Sequence, residues 1–142
     1  MAESDALETA LGALRYRDLS EHELEQKLAA RGFAESDQAQ AVATLRRTGL
    51  LDEGRFAEGR AASLASRGAG DALIRDALRR AGVPPEVAEE AVVALEPEMQ
   101  RALAVVERRG SGPKTSRYLA TKGFSRDTIA EVVASESREE LG

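Results

Sequence analysis

The sequence predicts an all-α protein of three tandem three-helix, helix-turn-helix-like repeats in an elongated, curved array, and three observations predict it. A short phrase recurs: "LAARGFAES" from Leu28, "LRRAGVPPE" from Leu78 and "LATKGFSRD" from Leu119 each place a leucine four residues before a glycine, with one apolar residue and a polar or proline restart after it. Apolar residues then recur at helical spacing around these phrases. Finally, Ala and Leu dominate the apolar residues, separated by Glu, Arg and Gln, all strong helix formers, while aromatics are confined to Tyr16, Phe33, Phe56, Tyr118 and Phe124.

The repeated phrase reads as the joint between two helices. Gly32, Gly82 and Gly123 sit where a helix ends in the left-handed conformation, which costs glycine nothing and other residues roughly 1–2 kcal/mol. A valine at Gly82 is therefore expected to cost about 1 kcal/mol or more. Glu35 or Ser36, the Pro84 and Pro85 pair, and Ser125 then restart the chain as first-turn or capping residues.

The elements follow in order. The first unit covers residues 5–48, its middle helix opened by Ser20 and Glu23, a pair spaced to satisfy each other's free backbone donors. The second covers 52–95, with Asp52 as the cap of its first helix and Gly70 opening its middle one. The third covers 97–138, starting at Pro97, with Gly112 and Pro113 opening a middle helix one residue closer to its joint glycine than in the other units. Six residues before Ser20, Gly70 and Gly112 stand Leu14, Leu64 and Val106, and nine before stand Leu11, Ala61 and Leu103. Three before them stand Arg17, Arg67 and Arg109, and ten beyond the joint glycines come Val42, Val92 and Val133. No segment is long or biased enough to be a linker, so residues 1–142 are expected to form one array in which each unit packs on the next.

Composition argues against enzymatic function. There is no cysteine, and the single histidine, His22, lies among Glu21, Glu23 and Glu25 as part of a solvated face. The paired glycines of "RGAGDALIRDA" and "RRGSGPKTS" lack both the Gly-Lys-Ser/Thr of a phosphate loop and a preceding strand, so they read as tight turns into helices. No catalytic residue, metal site or cofactor is expected. Apolar runs such as "AVVAL" from Ala91 are far too short to span a bilayer, and the acidic N-terminus lacks a signal-peptide layout, so the expectation is a cytoplasmic protein without membrane contact.

The formal charge of -5 is unevenly spread. From Arg101 to Arg126 seven basic residues (Arg101, Arg108, Arg109, Lys114, Arg117, Lys122 and Arg126) face the single acid Glu107, a net +6. In the helix from Pro113, Arg117 points about 200° away from Leu119, which marks the buried side, and Lys114 lies one turn below Arg117. The corresponding positions in the first unit are Glu23 and Gln26, so the outward face changes sign between units. Arginine clusters suit phosphate backbones or acidic protein surfaces. A sequence-specific helix-turn-helix DNA reader is an alternative, weakened by carboxylates where phosphates would lie: Glu35 and Asp37, then Glu86, Glu89 and Glu90, open two of the three candidate reading helices. A helical-repeat scaffold for another protein, with the basic cluster as plain surface, is the second alternative.

The stretch "GLLDEGRFAEGRAASLASRGAG" from Gly49, followed by "LIRDALRRAGV", resembles the signature region of the RecX family, bacterial modulators of the RecA recombinase. The matching residues are Gly49, Leu50, Leu51, Asp52, Arg55, Phe56, Ala57, Arg67, Gly70, Ile74, Leu78 and Gly82. The opening "ALRYRDLSEHELEQKLAARGF" is similar as well, from Leu14 and Ser20 through Leu24, Leu28 and Gly32 to Phe33. The resemblance implies a non-catalytic protein of three three-helix units lying in the groove of a RecA filament on DNA and restraining its growth, ATP hydrolysis and strand exchange. On that reading Arg67, Arg75, Arg79, Arg108, Arg109, Lys114, Arg117, Lys122 and Arg126 are the expected contacts to filament or DNA, with weak, sequence-independent binding to free DNA. Asp71 departs from the family's basic Gly-Pro-Arg/Lys at that point, whereas Gly112, Pro113 and Lys114 keep it.

Overall fold

The computed structural model describes residues 2–141, with side chains described over 5–134. Among the described residues the chain forms nine α-helices and no strand. They are α1 (Ala2–Tyr16), α2 (Glu21–Ala30), α3 (Glu35–Arg47), α4 (Glu53–Ser66), α5 (Asp71–Arg80), α6 (Pro85–Val93), α7 (Glu98–Arg109), α8 (Pro113–Thr121) and α9 (Arg126–Leu141). In each consecutive triplet the first helix packs on the third, and the second closes the bundle against both. Each triplet has its own core, centred on Leu24, Leu28 and Leu45, on Phe56, Ile74 and Leu78, and on Val106, Leu119 and Val132.

Local chemistry sets the helix ends. The Glu23 amide donates to Ser20 Oγ at 3.0 Å while the Ser20 amide donates to Glu23 Oε1 at 3.2 Å. Asp52 Oδ1 accepts from the Arg55 amide, and Ser125 Oγ from the Thr128 amide. The recurring phrase closes the middle helices in one way each time. Gly32, Gly82 and Gly123 adopt φ of 88°, 80° and 88°, and the residue after each donates its amide to the leucine four before the glycine, at 3.1 Å in all three cases. This is the Schellman closure, whose hydrophobic partner contact explains the apolar residue on each side of the glycine. Leu28, Leu78 and Leu119 are fully buried, with Phe33, Val83 and Phe124 packed against the same cores.

Val133, expected at a core position equivalent to Val42 and Val92, is half-buried; its neighbour Val132 is the fully buried one, because α9 presents a different helical phase to its core.

The triplets join through their middle helices, which stack end on end. Ser20 Oγ at the start of α2 donates to the carbonyl of Ala81 at the end of α5, at 2.5 Å. The amides of Gly70 and Ala72 at the start of α5 donate to the carbonyls of Lys122 and Gly123 at the end of α8, at 2.7 and 3.2 Å. Unsatisfied carbonyls of one helix thus meet unsatisfied donors of the next, and the two macrodipoles align head to tail. A carboxylate from the following triplet completes each start: Glu53 Oε1 accepts from the Glu21 amide at 2.7 Å, and Glu98 Oε1 from the Asp71 amide at 3.0 Å.

The joints demand small residues. A Cβ on Gly82 would lie 2.4 Å from His22 Cβ, one on Gly123 would lie 2.7 Å from Leu73 Cβ, and one on Gly70 would lie 2.5 Å from the Gly123 backbone. His22, expected on a solvated face, is exposed as expected, and its Cβ borders this joint. Arg101, counted in the basic segment, is by contrast withdrawn from the surface: it ion-pairs with Asp71 and donates to the Ala69 carbonyl at 2.8 Å, with its side chain only 10% exposed. The departure at Asp71 thereby has a structural role.

Glu53 carries a testable charge. Partial burial, then the nearby Glu21 and Glu23, raise its pKa above the ordinary glutamate value against the lowering effect of the Glu21 amide and Arg46. A carboxyl with a raised folded pKa favours folding while protonated, and that contribution is lost as pH rises from the unfolded value through the folded one. Glu53→Gln keeps an acceptor for the Glu21 amide without the charge. It should leave the protein at least as stable as wild type in urea at neutral pH, with the difference shrinking as pH falls below the glutamate range. A marked loss of stability at neutral pH would show that the charge itself holds the joint.

Candidate partner-binding surface

The third triplet presents the basic surface. Its middle helix α8 opens with Gly112 as cap and Pro113 in the first position, and its first turn holds no acid, unlike α2 and α5, which carry Glu21, Glu23 and Asp71 there. A helix start is favourable to anions, and here Lys114 adds a full positive charge. Lys114 and Arg117 are both exposed on one side of α8, opposite the fully buried Leu119. At the end of α7, Arg108 donates to the Ala104 carbonyl, while the guanidinium of Arg109 lies 3.6 Å from the centroid of the Tyr118 ring. That stacking leaves the Arg109 fork in water while holding its plane, an arrangement suited to a planar anion. Arg126, at the start of α9, is exposed.

The surface reaches the second triplet. A Cβ placed on Gly68 would lie 3.4 Å from Tyr118 Oη and 3.5 Å from Lys122 Cε, so the turn holding Arg67 abuts the end of α8. Arg67 itself curls back on Ser63, donating to its carbonyl and its Oγ at 3.3 and 3.2 Å. The structure therefore brings Arg109, Tyr118, Lys122 and the Arg67 turn together. Among the described residues no carboxylate pairs with Arg67, Arg108, Arg109, Lys114, Arg117, Lys122 or Arg126.

The two remaining expected contacts behave differently. Arg75 makes a bidentate pair with Glu89, both bonds 2.9 Å, and this hydrogen bonding raises the arginine pKa and lowers that of the glutamate. Arg79 pairs with Asp76, which Arg80 also reaches at 3.0 Å. These α5 arginines carry internal counterions, unlike the seven basic residues named above. The Arg109 and Tyr118 stack was invisible in sequence because the two lie on different helices with no spacing rule to link them.

Among the described residues no cluster of three His, Cys, Asp or Glu is placed to hold a metal, and no helix is long and apolar enough to cross a membrane.

Family models for RecX match the chain twice, the first three-helix domain at residues 6–45 and the second at 52–92. A regulatory protein RecX from Chromohalobacter salexigens is 36% identical over 141 residues, covering 93% of each chain, and one from Halorhodospira halophila is 36% identical over 153, covering 99% of this chain and 95% of that one. The crystal structure of RecX from Lactobacillus salivarius superposes with a TM-score of 0.83 at 21% identity, over 96% of this chain and 97% of that one.

Proposed function

Because the chain belongs to the RecX family, we propose that it is a non-catalytic modulator of the RecA recombinase that lies on the RecA filament on DNA and limits its growth, ATP hydrolysis and strand exchange. Its setting would be recombinational repair and the SOS response in the cytoplasm. The relatives are named regulatory proteins, and the observation that carries the reading further is the cationic end of an otherwise acidic chain. Seven basic side chains have no carboxylate partner among the described residues, and those of Arg109 and Lys122, beside Tyr118 and the Arg67 turn, offer charge able to meet phosphates or acidic protein.

Binding to free DNA should be weak and insensitive to sequence. The helices that a helix-turn-helix reader would insert open with acids, Glu35 and Asp37 in α3 and Glu86 in α6, and these would face the phosphates. The filament, which offers protein and DNA together along an extended groove, suits a chain of units stacked end on end. The test is the DNA-dependent ATPase of the host RecA assembled on single-stranded DNA, with this protein titrated in well below one copy per recombinase protomer. The rate should fall at these ratios. An unchanged rate up to equimolar protein overturns the reading and favours a scaffold for some other partner.

A further inference from the structure

The end of a middle helix is used three times in this molecule and covered twice. Five, two and one residues before the joint glycine stand Ala77, Arg80 and Ala81 in the second triplet, and Tyr118, Thr121 and Lys122 in the third. In the second triplet these residues share a cleft with Glu23 and Gln26 of α2, the Ala81 carbonyl accepts from Ser20, and Glu23 lies 3.7 Å from Arg60. In the third, the Lys122 and Gly123 carbonyls accept from the start of α5. Each occupant is a helix start with a small cap residue, Ser20 or Gly70, and an acid in its first turn.

The same surface in the first triplet has no such occupant among the described residues. Lys27, Ala30 and Arg31 stand at the equivalent positions and line, with Gly12, Ala13 and Tyr16 of α1, a groove of about 560 Å³. Nothing described donates to the carbonyls of Arg31 and Gly32, and a Cβ on Gly32 would meet nothing within 4 Å. Tyr16 is 92% exposed. The rim is basic through Lys27 and Arg31, both exposed and without an ion-pair partner among the described residues.

We propose that this groove docks the first turn of an acidic helix on a partner protein, a helix that begins with a serine or glycine cap and carries Glu or Asp within its first turn. Three features select that occupant: two free carbonyls seek amide or hydroxyl donors, the open left-handed glycine admits a close approach, and the basic rim requires opposite charge. The free end of this chain's own column is the wrong occupant. α8 starts with Pro113, which has no amide hydrogen, and Lys114, which would meet Lys27 and Arg31 with like charge. The groove is separate from the basic face of the third triplet and does not depend on the role given to that face.

The probe is a lactam-bridged peptide with the α2 start, Ser-Glu-His-Glu-Leu-Glu-Gln-Lys-Leu, its helicity checked by circular dichroism. It is titrated into the full-length chain labelled with ¹⁵N. Saturable shifts are expected at the Gly12, Arg31 and Gly32 amides in the millimolar range. They should be lost in the Lys27→Glu, Arg31→Glu protein, and equally lost when the peptide carries Glu21→Lys and Glu23→Lys, an arm that stands even if the protein variant does not fold. Absence of shifts at those amides, or equal shifts with the reversed peptide, overturns the proposal. So does self-association in sedimentation that Lys27→Glu, Arg31→Glu abolishes, since the groove would then belong to a second copy.

Discussion

Gly82→Ala is expected to destabilise the protein by about 2–5 kcal/mol, more than alanine at any other joint glycine tested alongside it. Two independent costs meet there. The backbone sits at φ of 80°, which an alanine adopts at roughly 1–2 kcal/mol. The new Cβ would also stand 2.4 Å from His22 Cβ, an atom fixed close to the α2 backbone, and crowding of this kind costs about 1–3 kcal/mol. The molecule contains its own controls. Gly32 has the same left-handed backbone, with φ of 88°, but open space around it, so Gly32→Ala should show only the conformational cost of about 1–2 kcal/mol. Gly70 has an ordinary φ of -83°, but its Cβ would press on the Gly123 backbone at 2.5 Å, so Gly70→Ala should show only the steric cost of about 1–3 kcal/mol. Urea unfolding checks all three. In an array, stability combines the units with their interfaces, so the two crowded variants should also broaden the transition by uncoupling neighbours, whereas Gly32→Ala should shift it without broadening. Equal losses at Gly32 and Gly82 would mean that the end-on stacking of α2 and α5 contributes nothing.

The joints were legible because their chemistry is local: a leucine, a left-handed glycine and an apolar residue five beyond the leucine are all parts of one helix closure, and Ser20 with Glu23 or Asp52 cap helices within their own turns. The stacking of one middle helix on the next was not legible. Its hydrogen bonds run from the amides of Gly70 and Ala72 to backbone carbonyls, which every residue has, so no residue type announces them. Gly70 read as a helix opener when its lack of a side chain is also what admits the Gly123 backbone, and Gly82 answers two requirements with one residue. Charge was the least legible property. Arg75, Arg79 and Arg101 look like their neighbours in sequence, yet Glu89, Asp76 and Asp71 neutralise them across helices or turns. Counting charges along the chain pointed to the third triplet, but only side-chain placement separated basic residues held by internal partners from those that are not.

That separation makes reversal of Lys114 and Arg117 the sharpest functional test. Lys114→Glu with Arg117→Glu should weaken binding to the RecA filament by about tenfold or more, because each reversal replaces an attraction with a repulsion at an interface of complementary charge. The fold should be untouched: both side chains are exposed, neither makes an ion pair among the described residues, and the core contact of α8 runs through Leu119 on the opposite side. Far-ultraviolet circular dichroism and urea midpoints should match wild type. Arg75→Gln is the comparison, because Arg75 is already engaged by Glu89 and its loss should change binding far less. Salt titration then identifies what the face meets. If Lys114 and Arg117 lie against DNA phosphates, wild-type affinity should fall steeply with salt, and the slope should decrease by roughly one for each contact removed. If they lie against carboxylates of the recombinase, the reversal should weaken binding with little change in slope, since protein side chains carry no condensed counterion layer to release. Unchanged filament binding by the double variant would remove the α8 face from the mechanism, leaving the Arg67 turn and the Arg109 stack as the remaining cationic contacts to test.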